Sequence, residues 1–291
     1  MSSRISVVVI SRNEGAYLRR TVENLEDTLP GDAEIVVVDD NSSDGSAGFL
    51  EPRRRRVRLL RSGGIGVAKA RVLGASKTRG GVIVFADAHL GLDRNWWQPM
   101  RELLENPKVG AVAPAIAELP PTASRGYGLT FRSPAMDVRW RRRKPRGPEA
   151  APILPGCCVA LRRDVLETTG GGWDAGLLHR GNVDNEFSVR LWLLGYELLV
   201  VPDTVVRHRF RSQAPFPAGW PEYVHNKLRL AFVHFSAQRL GKVVASLQRD
   251  AAFGDALALL AGSDIGARRR EISAQRTRTD DWFCDRFGLH W

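Results

Sequence analysis

The segment Val82-Ile83-Val84-Phe85-Ala86-Asp87-Ala88-His89 joins five apolar residues to an acid, a small residue and a histidine. Its β-branched and aromatic residues indicate a buried strand. Because side chains alternate along a strand, Asp87 and His89 point to the same face at its carboxyl end. A carboxylate and an imidazole on one face can bind a divalent cation. A turn-closing aspartate beside an unrelated histidine is the alternative explanation.

Similar apolar segments recur along the chain and alternate with helical patterns. A strand, a helix and a second strand within residues 5–38 imply a right-handed βαβ unit. The sequence therefore predicts an α/β fold with a Rossmann-type, mostly parallel sheet that is flanked by helices. We expect Pro202 to end the last strand of this set. The predicted strands span residues 5–10, 35–38, 57–60, 82–85, 109–112, 159–161 and 197–201, and the predicted helices lie near residues 17–25, 68–75, 96–104 and 186–194.

Polar residues follow three of these strands. Ser11, Asn13 and Glu14 come after the first strand, and Asp39 and Asp40 come after the second. The third cluster is the acid and histidine described above. Ligands of such sheets bind outside the carboxyl ends of the strands, so a binding site is predicted where the clusters converge. Asp39 and Asp40 could accept hydrogen bonds from a uracil or a ribose there, and they could equally close a turn.

A metal site needs a third ligand, and His208 is the candidate because it also follows a predicted strand. We expect the other histidines to lie on the surface or to be satisfied by hydrogen bonds. One acid with two histidines suits Mn²⁺ better than Mg²⁺, which prefers all-oxygen coordination. Such a cation would bridge a diphosphate and neutralise the charge that develops on a leaving nucleotide.

Two charged positions outside these clusters are candidates for a role in catalysis. Arg71 lies on a predicted helix and could reach a diphosphate, pair with Asp87, or remain on the helix surface. Asp184 or Glu186 could be a general base for an acceptor hydroxyl. The helix dipole also favours acids at a helix N-terminus, so their position has a purely structural explanation as well.

The glycine-rich segment Gly63-Gly64-Ile65-Gly66 matches neither the G-x-G-x-x-G dinucleotide motif nor the Walker motif. Dinucleotide and P-loop chemistry are therefore disfavoured. No Ser-His-Asp or Cys-His arrangement has a supporting context in the sequence either.

The composition is that of an ordinary globular chain with a basic excess. The 291 residues are 43% hydrophobic and 26% charged, and 43 Lys+Arg against 32 Asp+Glu give a net charge of +11. No apolar run approaches the roughly 18 residues of a membrane span, and the N-terminus lacks a signal-peptide pattern. Three cysteines, two of them adjacent, fit a reducing compartment. We therefore expect a cytoplasmic protein without a stable membrane anchor.

Positive charge is concentrated in residues 53–56, 139–146 and 268–270. These runs could be solvated surface charge, or they could attract a polyanion such as nucleic acid. The acids predicted at the strand ends would repel a phosphate backbone, so nucleic-acid binding is the less favoured alternative.

Residues 118–152 contain the basic run at 139–146 and several Pro and Gly residues. We expect a long, partly mobile connection there.

Several segments together resemble family-2 glycosyltransferases with the GT-A fold. The resemblance lies in the opening strand through Glu14, in Val-Val-Val-Asp-Asp-Asn-Ser-Ser at residues 36–43, and in the strand that ends at Asp87. More narrowly, the chain resembles the catalytic domain of polypeptide N-acetylgalactosaminyltransferases, which carries Asp-x-His in place of Asp-x-Asp. Further matches to that family are Ala70, Arg71, Gly74, Ala75, Trp96, Pro99, residues 156–174, Glu186, Ser188, Arg190, Trp192, Pro202, His208, Phe210, Arg211, the loop at 215–219, Asn226, Arg229, Leu230, Ala231, Asp264, Ile265, Arg268, Trp282 and Phe283.

The resemblance implies transfer of a hexosyl or N-acetylhexosaminyl group from a nucleotide sugar, in the first place a UDP-sugar. A peptide, a glycan and a small natural product all remain possible acceptors. Asp87, His89 and His208 would hold Mn²⁺ or another divalent cation. Asp184 would be the base of an inverting enzyme, or a sugar-hydroxyl contact in a retaining one, and Arg71 would steady the diphosphate. The implied donor-binding residues are Ser11, Asn13, Glu14, Asp39, Asp40, Gly63, Arg71, Ala88, Gly156 and Arg211.

The chain departs from that family at Arg180-Gly181-Asn182-Val183-Asp184, where the family has Trp-Gly-Gly-Glu-Asn. Val183 replaces the acid that the family uses at the sugar, and an acid stands at Asp184 instead. The sugar, the acceptor and the stereochemical outcome therefore stay open. A nucleotidyltransferase that acts on a sugar phosphate is an alternative reaction on the same fold.

We expect a single-domain organisation with a C-terminal helical extension. The catalytic core would span residues 1–222, with a nucleotide-binding half at 1–115 and an acceptor-side half at 153–222. Residues 223–291 would form the extension and pack on the core. Residues 120–150 and 211–222 are candidate lids over the site. The oligomeric state is left open by the sequence.

Overall fold

The protein is built around a ten-stranded sheet. Its computed structural model describes residues 4–51, 56–211 and 219–291. The strands are β1 (Ile5–Ser11), β2 (Glu34–Asp40), β3 (Val57–Ser62), β4 (Val82–Asp87), β5 (Leu90–Leu92), β6 (Val109–Glu118), β7 (Arg125–Gly126), β8 (Leu129–Phe131), β9 (Val138–Trp140), β10 (Glu149–Ala150), β11 (Cys158–Arg162) and β12 (Glu197–His208). The α-helices are α1 (Ala16–Thr28), α2 (Val67–Ser76), α3 (Gln98–Leu103), α4 (Arg163–Thr168), α5 (Val183–Leu193), α6 (Trp220–His234), α7 (Ala237–Leu247), α8 (Phe253–Ala261), α9 (Ile265–Gln275) and α10 (Asp280–Phe287).

The main path of the sheet runs in the order β10-β12-β6-β11-β4-β1-β2-β3, while β5 pairs with β12 and β7 with β6. Strands β4, β1, β2 and β3 are parallel neighbours. Strand β11 is antiparallel to both β4 and β6, so the sheet becomes mixed beyond β4. The predicted α/β fold, with a Rossmann-type sheet flanked by helices, is confirmed. The carboxyl ends of β1, β2 and β4 meet at one edge, where the polar clusters were expected.

Strand β1 shows why these strands are continuous apolar runs. Val7 and Val9 belong to the core that α1 covers, whereas Val8 belongs to the core that α2 covers. A parallel sheet covered on both faces needs apolar side chains at every position. Helix α2 lies so close to the sheet that a Cβ atom at Gly74 would overlap the side chain of Val8. Only glycine permits this approach.

Strand β12 does not end at Pro202, so that prediction is wrong. The strand pairs with β6 on both sides of the proline, and its register shifts between Val201 and Val205. A shift of this kind accommodates a residue without an N–H, which a regular ladder position would not. The strand therefore continues to His208 and carries this histidine at its last position.

The predicted long connection at residues 118–152 includes short strands that the sequence did not predict. The segment contains strands β7 to β10, and β8 and β9 form an antiparallel hairpin. Strand β7 pairs with β6, and β10 pairs with β12, so both ends of the segment are fixed to the main sheet. Three of the six basic residues at 139–146 pair with nearby acids. Arg141 and Arg143 pair with Glu149, and Lys144 pairs with Asp203.

The C-terminal helices pack directly on the sheet and on α5. Helix α6 begins at Trp220, and most of its buried apolar residues belong to the same core as Val8 of β1 and Phe85 of β4.

No helix within residues 4–51, 56–211 and 219–291 is both long enough and apolar enough to cross a membrane. Most of the loop at 215–219 and most of the proposed lid at 211–222 lie outside the described residues, as do three of the four residues in the basic run at 53–56.

A fully buried charge cluster connects α5 to α6. Arg190 donates to Glu186 at 2.8 Å, and the His234 Nε2 lies 2.9 Å from the same carboxylate. Burial alone would raise the pKa of Glu186, but the charge of Arg190 and the hydrogen bond from His234 outweigh it and lower this pKa. Burial lowers the pKa of His234 against the opposing effect of Glu186. The helical extension is thus connected to the core by groups that favour a neutral histidine.

We expect the free energy of unfolding to decrease as the pH falls below about 6.5, the ordinary pKa of histidine. In that range the unfolded chain binds a proton at His234 that the folded protein does not, so acid favours unfolding. The loss is about 1.4 kcal/mol for each unit by which folding lowers the pKa. Urea unfolding between pH 7.5 and 5.5 measures the slope. His234→Gln keeps a donor for Glu186 and should make the free energy of unfolding less dependent on pH. His290→Gln, at an exposed histidine, should leave this dependence unchanged. Equal slopes in both variants would contradict this assignment.

Candidate metal centre

Strand pairing brings Asp87, His89 and His208 together at the carboxyl edge of the sheet. Asp87 ends β4, and the next two residues turn the chain into β5. Strand β5 pairs antiparallel with the end of β12, so that Leu90 lies opposite His208. Arg209 donates from its backbone N–H to the carbonyl of His89 at 3.2 Å and closes this pairing. Residues that are far apart in the sequence therefore share one site.

The three side chains have the spacing of ligands around one cation. His208 Nε2 lies 3.1 Å from Asp87 Oδ2 and 3.0 Å from His89 Nε2, while the third pair is 3.9 Å apart. Two ligand atoms about 2.1 Å from a cation and at right angles are about 3.0 Å from each other. Burial would raise the pKa of Asp87, but the hydrogen bond and charge of His208 lower it to about 2. Asp87 is thus an anionic oxygen ligand at neutral pH.

Glu14 orients one of the two histidines. His89 donates from Nδ1 to Glu14 Oε2 at 2.9 Å, and Arg211 donates to both oxygens of this carboxylate at 3.2 and 2.5 Å. With its proton on Nδ1, His89 presents the lone pair of Nε2 to the cluster, as metal-binding histidines do. The sequence predicted a donor contact for Glu14 and Arg211. In the structure, Glu14 links Arg211 to His89, a candidate metal ligand.

A cavity of about 360 Å³ opens over this cluster. It brings together most of the charged residues that the sequence selected. Those that line it are Glu14, Asp40, Arg71, Asp87, His89, Asp184, His208 and Arg211. Several smaller or more distant candidates are not in its lining, namely Ser11, Asn13, Asp39, Gly63, Ala88 and Gly156.

The two adjacent aspartates of β2 have different partners. Asp39 accepts from Ser42 N at 3.1 Å and from Arg61 at 2.8 Å, away from the cavity lining. This is the turn-closing role that the sequence left as an alternative. Asp40 borders the cavity and accepts from the backbone N–H groups of Ile65 and Gly66 at 2.7 and 2.9 Å. Its carboxylate therefore fixes the loop that leads into α2.

Gly66 lets this loop approach the segment before α5. Its φ is +84°, and a Cβ atom there would lie 2.8 to 3.1 Å from the backbone of His179. The following residue, Val67, donates from its N–H to the His179 carbonyl at 2.8 Å. Gly66 and His179 both line the cavity, so this contact joins its two sides.

Arg71 pairs with Asp184 rather than with Asp87. Its guanidinium donates to Asp184 Oδ1 and, at 2.8 Å, to the carbonyl of Gly156. The ring of Trp173 lies 4.8 Å from the guanidinium carbon. A Cβ atom at Gly156 would overlap the carboxylate of Asp184. Gly156 therefore supports the site by leaving room for this acid, although it does not line the cavity.

The sequence did not select twelve of the twenty described residues that line this cavity. Some are immediate neighbours of selected positions, and this proximity was the available signal. Burial raises the pKa of Cys157, so this lining thiol is a neutral group. The segment before α5 was noted only as a departure from a family pattern. The missed lining residues are Ile10, Arg12, Gly66, Val67, Cys157, His179, Arg180, Gly181, Asn182, Val183, Arg209 and Phe210.

The family model described as glycosyl transferase family 2 matches residues 6–170, which contain β1 to β4 and the first metal-ligand candidates. The chain is a member of glycosyl transferase family 2. Among curated relatives, polypeptide N-acetylgalactosaminyltransferase 11 of Xenopus tropicalis is 32% identical over 258 residues, which cover 78% of this chain and 42% of the relative. The human polypeptide N-acetylgalactosaminyltransferase 15 is 29% identical over 249 residues, or 78% of this chain and 39% of that protein. This family-2 chain thus spans less than half the length of these relatives.

Solved structures show the same fold. GalNAc-T7, crystallised with UDP, GalNAc and Mn²⁺, has a TM-score of 0.80 at 22% identity, and the match covers 98% of this chain and 56% of that one. A mannosyltransferase from Pyrobaculum calidifontis, in complex with GDP-Man and Mn²⁺, has a TM-score of 0.56 at 19% identity, covering 94% and 72%. The predicted GT-A fold and the resemblance to family-2 glycosyltransferases are both confirmed.

Removing Glu14 should weaken divalent-cation binding, because outer-shell partners of histidine ligands typically contribute about 10- to 100-fold in affinity. Titration with Co²⁺, followed by its visible absorption, measures this without any turnover. We expect Glu14→Gln to bind Co²⁺ at least about tenfold more weakly and His208→Ala to lose the histidine-ligand spectrum. Glu105→Gln removes an exposed acid and is the matched control. Wild-type affinity in His208→Ala would remove this residue from the ligand set.

Proposed function

We propose that this chain is a glycosyltransferase that uses a nucleotide sugar, most simply a UDP-sugar, together with Mn²⁺. The observation that carries the proposal is the convergence of Asp87, His89 and His208 on one point in a cavity at the strand ends. One carboxylate and two imidazoles suit Mn²⁺ by their ligand types. Solved relatives with this fold bind UDP or GDP-Man together with Mn²⁺, which supports the same donor class here.

The charges around the cavity suit a diphosphate. Bound Mn²⁺ would neutralise the negative charge that grows on the leaving nucleoside diphosphate. Guanidinium groups of Arg12, Arg71, Arg180, Arg209 and Arg211 line the same cavity and favour an anionic ligand. Arg211 is already bound to Glu14, and Arg209 lies 4.1 Å from the ring centre of Tyr17. These contacts hold the positive groups in place before the donor arrives.

Asp184 is the proposed general base if the enzyme inverts the sugar. Its side chain is 34% exposed and lines the cavity, so an acceptor hydroxyl can reach it. Arg71 fixes one of its oxygens, which supplies the positional order that a base requires. In a retaining enzyme the same carboxylate would contact a sugar hydroxyl.

Val183 shapes the part of the cavity next to this acid. It is buried, lines the cavity and begins α5. An apolar side chain at this point cannot accept a hydrogen bond from a sugar hydroxyl. We therefore propose a hexosyl or N-acetylhexosaminyl donor whose recognition relies on other groups. The names of the curated relatives make a peptide hydroxyl the first acceptor to test.

The cytoplasmic location and the division at residue 222 remain predictions of the sequence.

A donor panel tests the proposed activity. We expect UDP with Mn²⁺ to raise the melting temperature, because a ligand at 100 times its Kd adds about 2.7 kcal/mol of stability. Incubation with individual UDP-sugars should release UDP, and His208→Ala should abolish both effects. Release of pyrophosphate would instead indicate a nucleotidyltransferase. A melting temperature that rises only with oligonucleotides, in a salt-sensitive way, would contradict the proposal in favour of nucleic-acid binding.

Asp184→Asn should lower kcat by about 10²-fold or more, since a positioned general base contributes about 10²- to 10⁴-fold. Asparagine keeps the size of the side chain and an oxygen for Arg71, so UDP affinity in the presence of Mn²⁺ should change little. Steady-state transfer assays and UDP titrations separate the two effects. The control is again Glu105→Gln. An unchanged kcat in Asp184→Asn would exclude this residue as the base.

A further inference from the structure

A second cavity, of about 620 Å³, lies between the β8–β9 hairpin and the end of α10 with the residues that follow it. It shares no lining residue with the cavity over the metal-ligand cluster. Among the described residues, no aspartate or glutamate side chain contributes to its lining. The lining residues are Thr130, Phe131, Arg132, Arg139, Arg141, Ala150, Pro152, Arg286, Phe287, Gly288, Leu289, His290 and Trp291.

Four arginines converge on this cavity from separate elements. Arg132 follows β8, Arg139 lies in β9, Arg141 follows β9, and Arg286 lies in α10. The hairpin fixes the first two, because Thr130 pairs with Arg139 and the N–H of Arg132 donates to the Asp137 carbonyl at 2.8 Å. Backbone pairing within the hairpin thus keeps Arg132 and Arg139 close together.

The pleat of β9 explains why the basic run serves this cavity. Arg139 and Arg141 are two residues apart and share one face. Trp140 between them points to the opposite face, where its ring lies edge-on to Phe210 with centroids 6.0 Å apart. Phe210 lines the first cavity. The hairpin therefore presents Arg139 and Arg141 to the second cavity, while Trp140 packs against Phe210.

Protein carboxylates compensate only part of this charge. Arg141 pairs with Glu149, and Arg286 lies 3.9 Å from a Glu197 oxygen, a distant contact for an ion pair. The side chains of Arg132 and Arg139 make no hydrogen bond or ion pair within the part of the chain that the structure describes. The nearby acid Asp137 is bound to Lys227 at 2.6 Å. At least two arginines therefore line the cavity without an ion-pair partner among residues 4–51, 56–211 and 219–291.

We propose that this cavity binds a ligand that carries a phosphate or diphosphate group. Guanidinium groups bind phosphate oxygens in a planar, often bidentate arrangement, and several of them around one anion relieve their mutual repulsion. The hydroxyl of Thr130 and the ring of His290 add hydrogen-bond donors to the same lining. This site is independent of the metal cluster, so the proposal does not rest on the glycosyltransferase function.

Isothermal titration of inorganic pyrophosphate in the presence of EDTA tests the site. EDTA removes divalent cations and thereby removes the metal-dependent part of anion binding in the first cavity. The double variant Arg132→Gln/Arg139→Gln should bind at least about tenfold more weakly than wild type, because two charge-assisted contacts are lost. The control Arg94→Gln/Lys242→Gln removes two exposed charges elsewhere and should bind normally. Both variants should retain the wild-type melting temperature and UDP binding with Mn²⁺.

Three outcomes would overturn the proposal. The first is equal pyrophosphate affinity in the two double variants, and the second is wild-type binding weaker than about 1 mM. The third is complete displacement of pyrophosphate by UDP under the same metal-free conditions, because this result would place the anion in the first cavity.

Flotation with vesicles distinguishes the source of the phosphate. Binding to phosphatidic acid vesicles that the Arg132→Gln/Arg139→Gln variant loses assigns a lipid headgroup. Pyrophosphate binding without flotation assigns a soluble phosphate ester.

Discussion

The antiparallel pairing of β5 with the end of β12 is the constraint on which the site depends. It places His208 within 3.1 Å of Asp87, although the two residues are separated by 121 positions in the chain. Three ligand atoms held this close can bind one cation between them, and two imidazole nitrogens 3.0 Å apart can also share a hydrogen bond. The carboxylate of Glu14 then fixes the tautomer of His89. The register of two strands thus sets the chemistry of the whole cavity.

The sequence predicted the fold and the three metal-ligand candidates because both depend on local patterns. Continuous apolar strands identify a sheet that is covered on both faces, and polar residues at strand ends identify its functional edge. The prediction failed at Pro202, where a register shift in a long strand tolerated the proline. Strands β7 to β10 within residues 118–152 were not predicted, because they are too short to leave a clear periodic pattern.

Roles of individual side chains were harder to predict, since they depend on which face a residue takes. Asp39 and Asp40 are adjacent in β2 and therefore point in opposite directions. Only Asp40 borders the cavity. For Arg71 the sequence left open a diphosphate, Asp87 and the helix surface, and in the folded chain its guanidinium pairs with Asp184 at the start of α5. A single sequence contains no direct record of this packing.

Gly156 has a consequence for how this site can change. Its missing side chain leaves the space that the carboxylate of Asp184 occupies, so the two positions form one steric unit. A side chain at 156 would displace the acid and release Arg71, whose guanidinium holds both residues. A substitution that places a different acid or base at position 184 therefore requires glycine at position 156. Libraries that vary position 184 should therefore leave position 156 unchanged, because a side chain at 156 would overlap the group at 184.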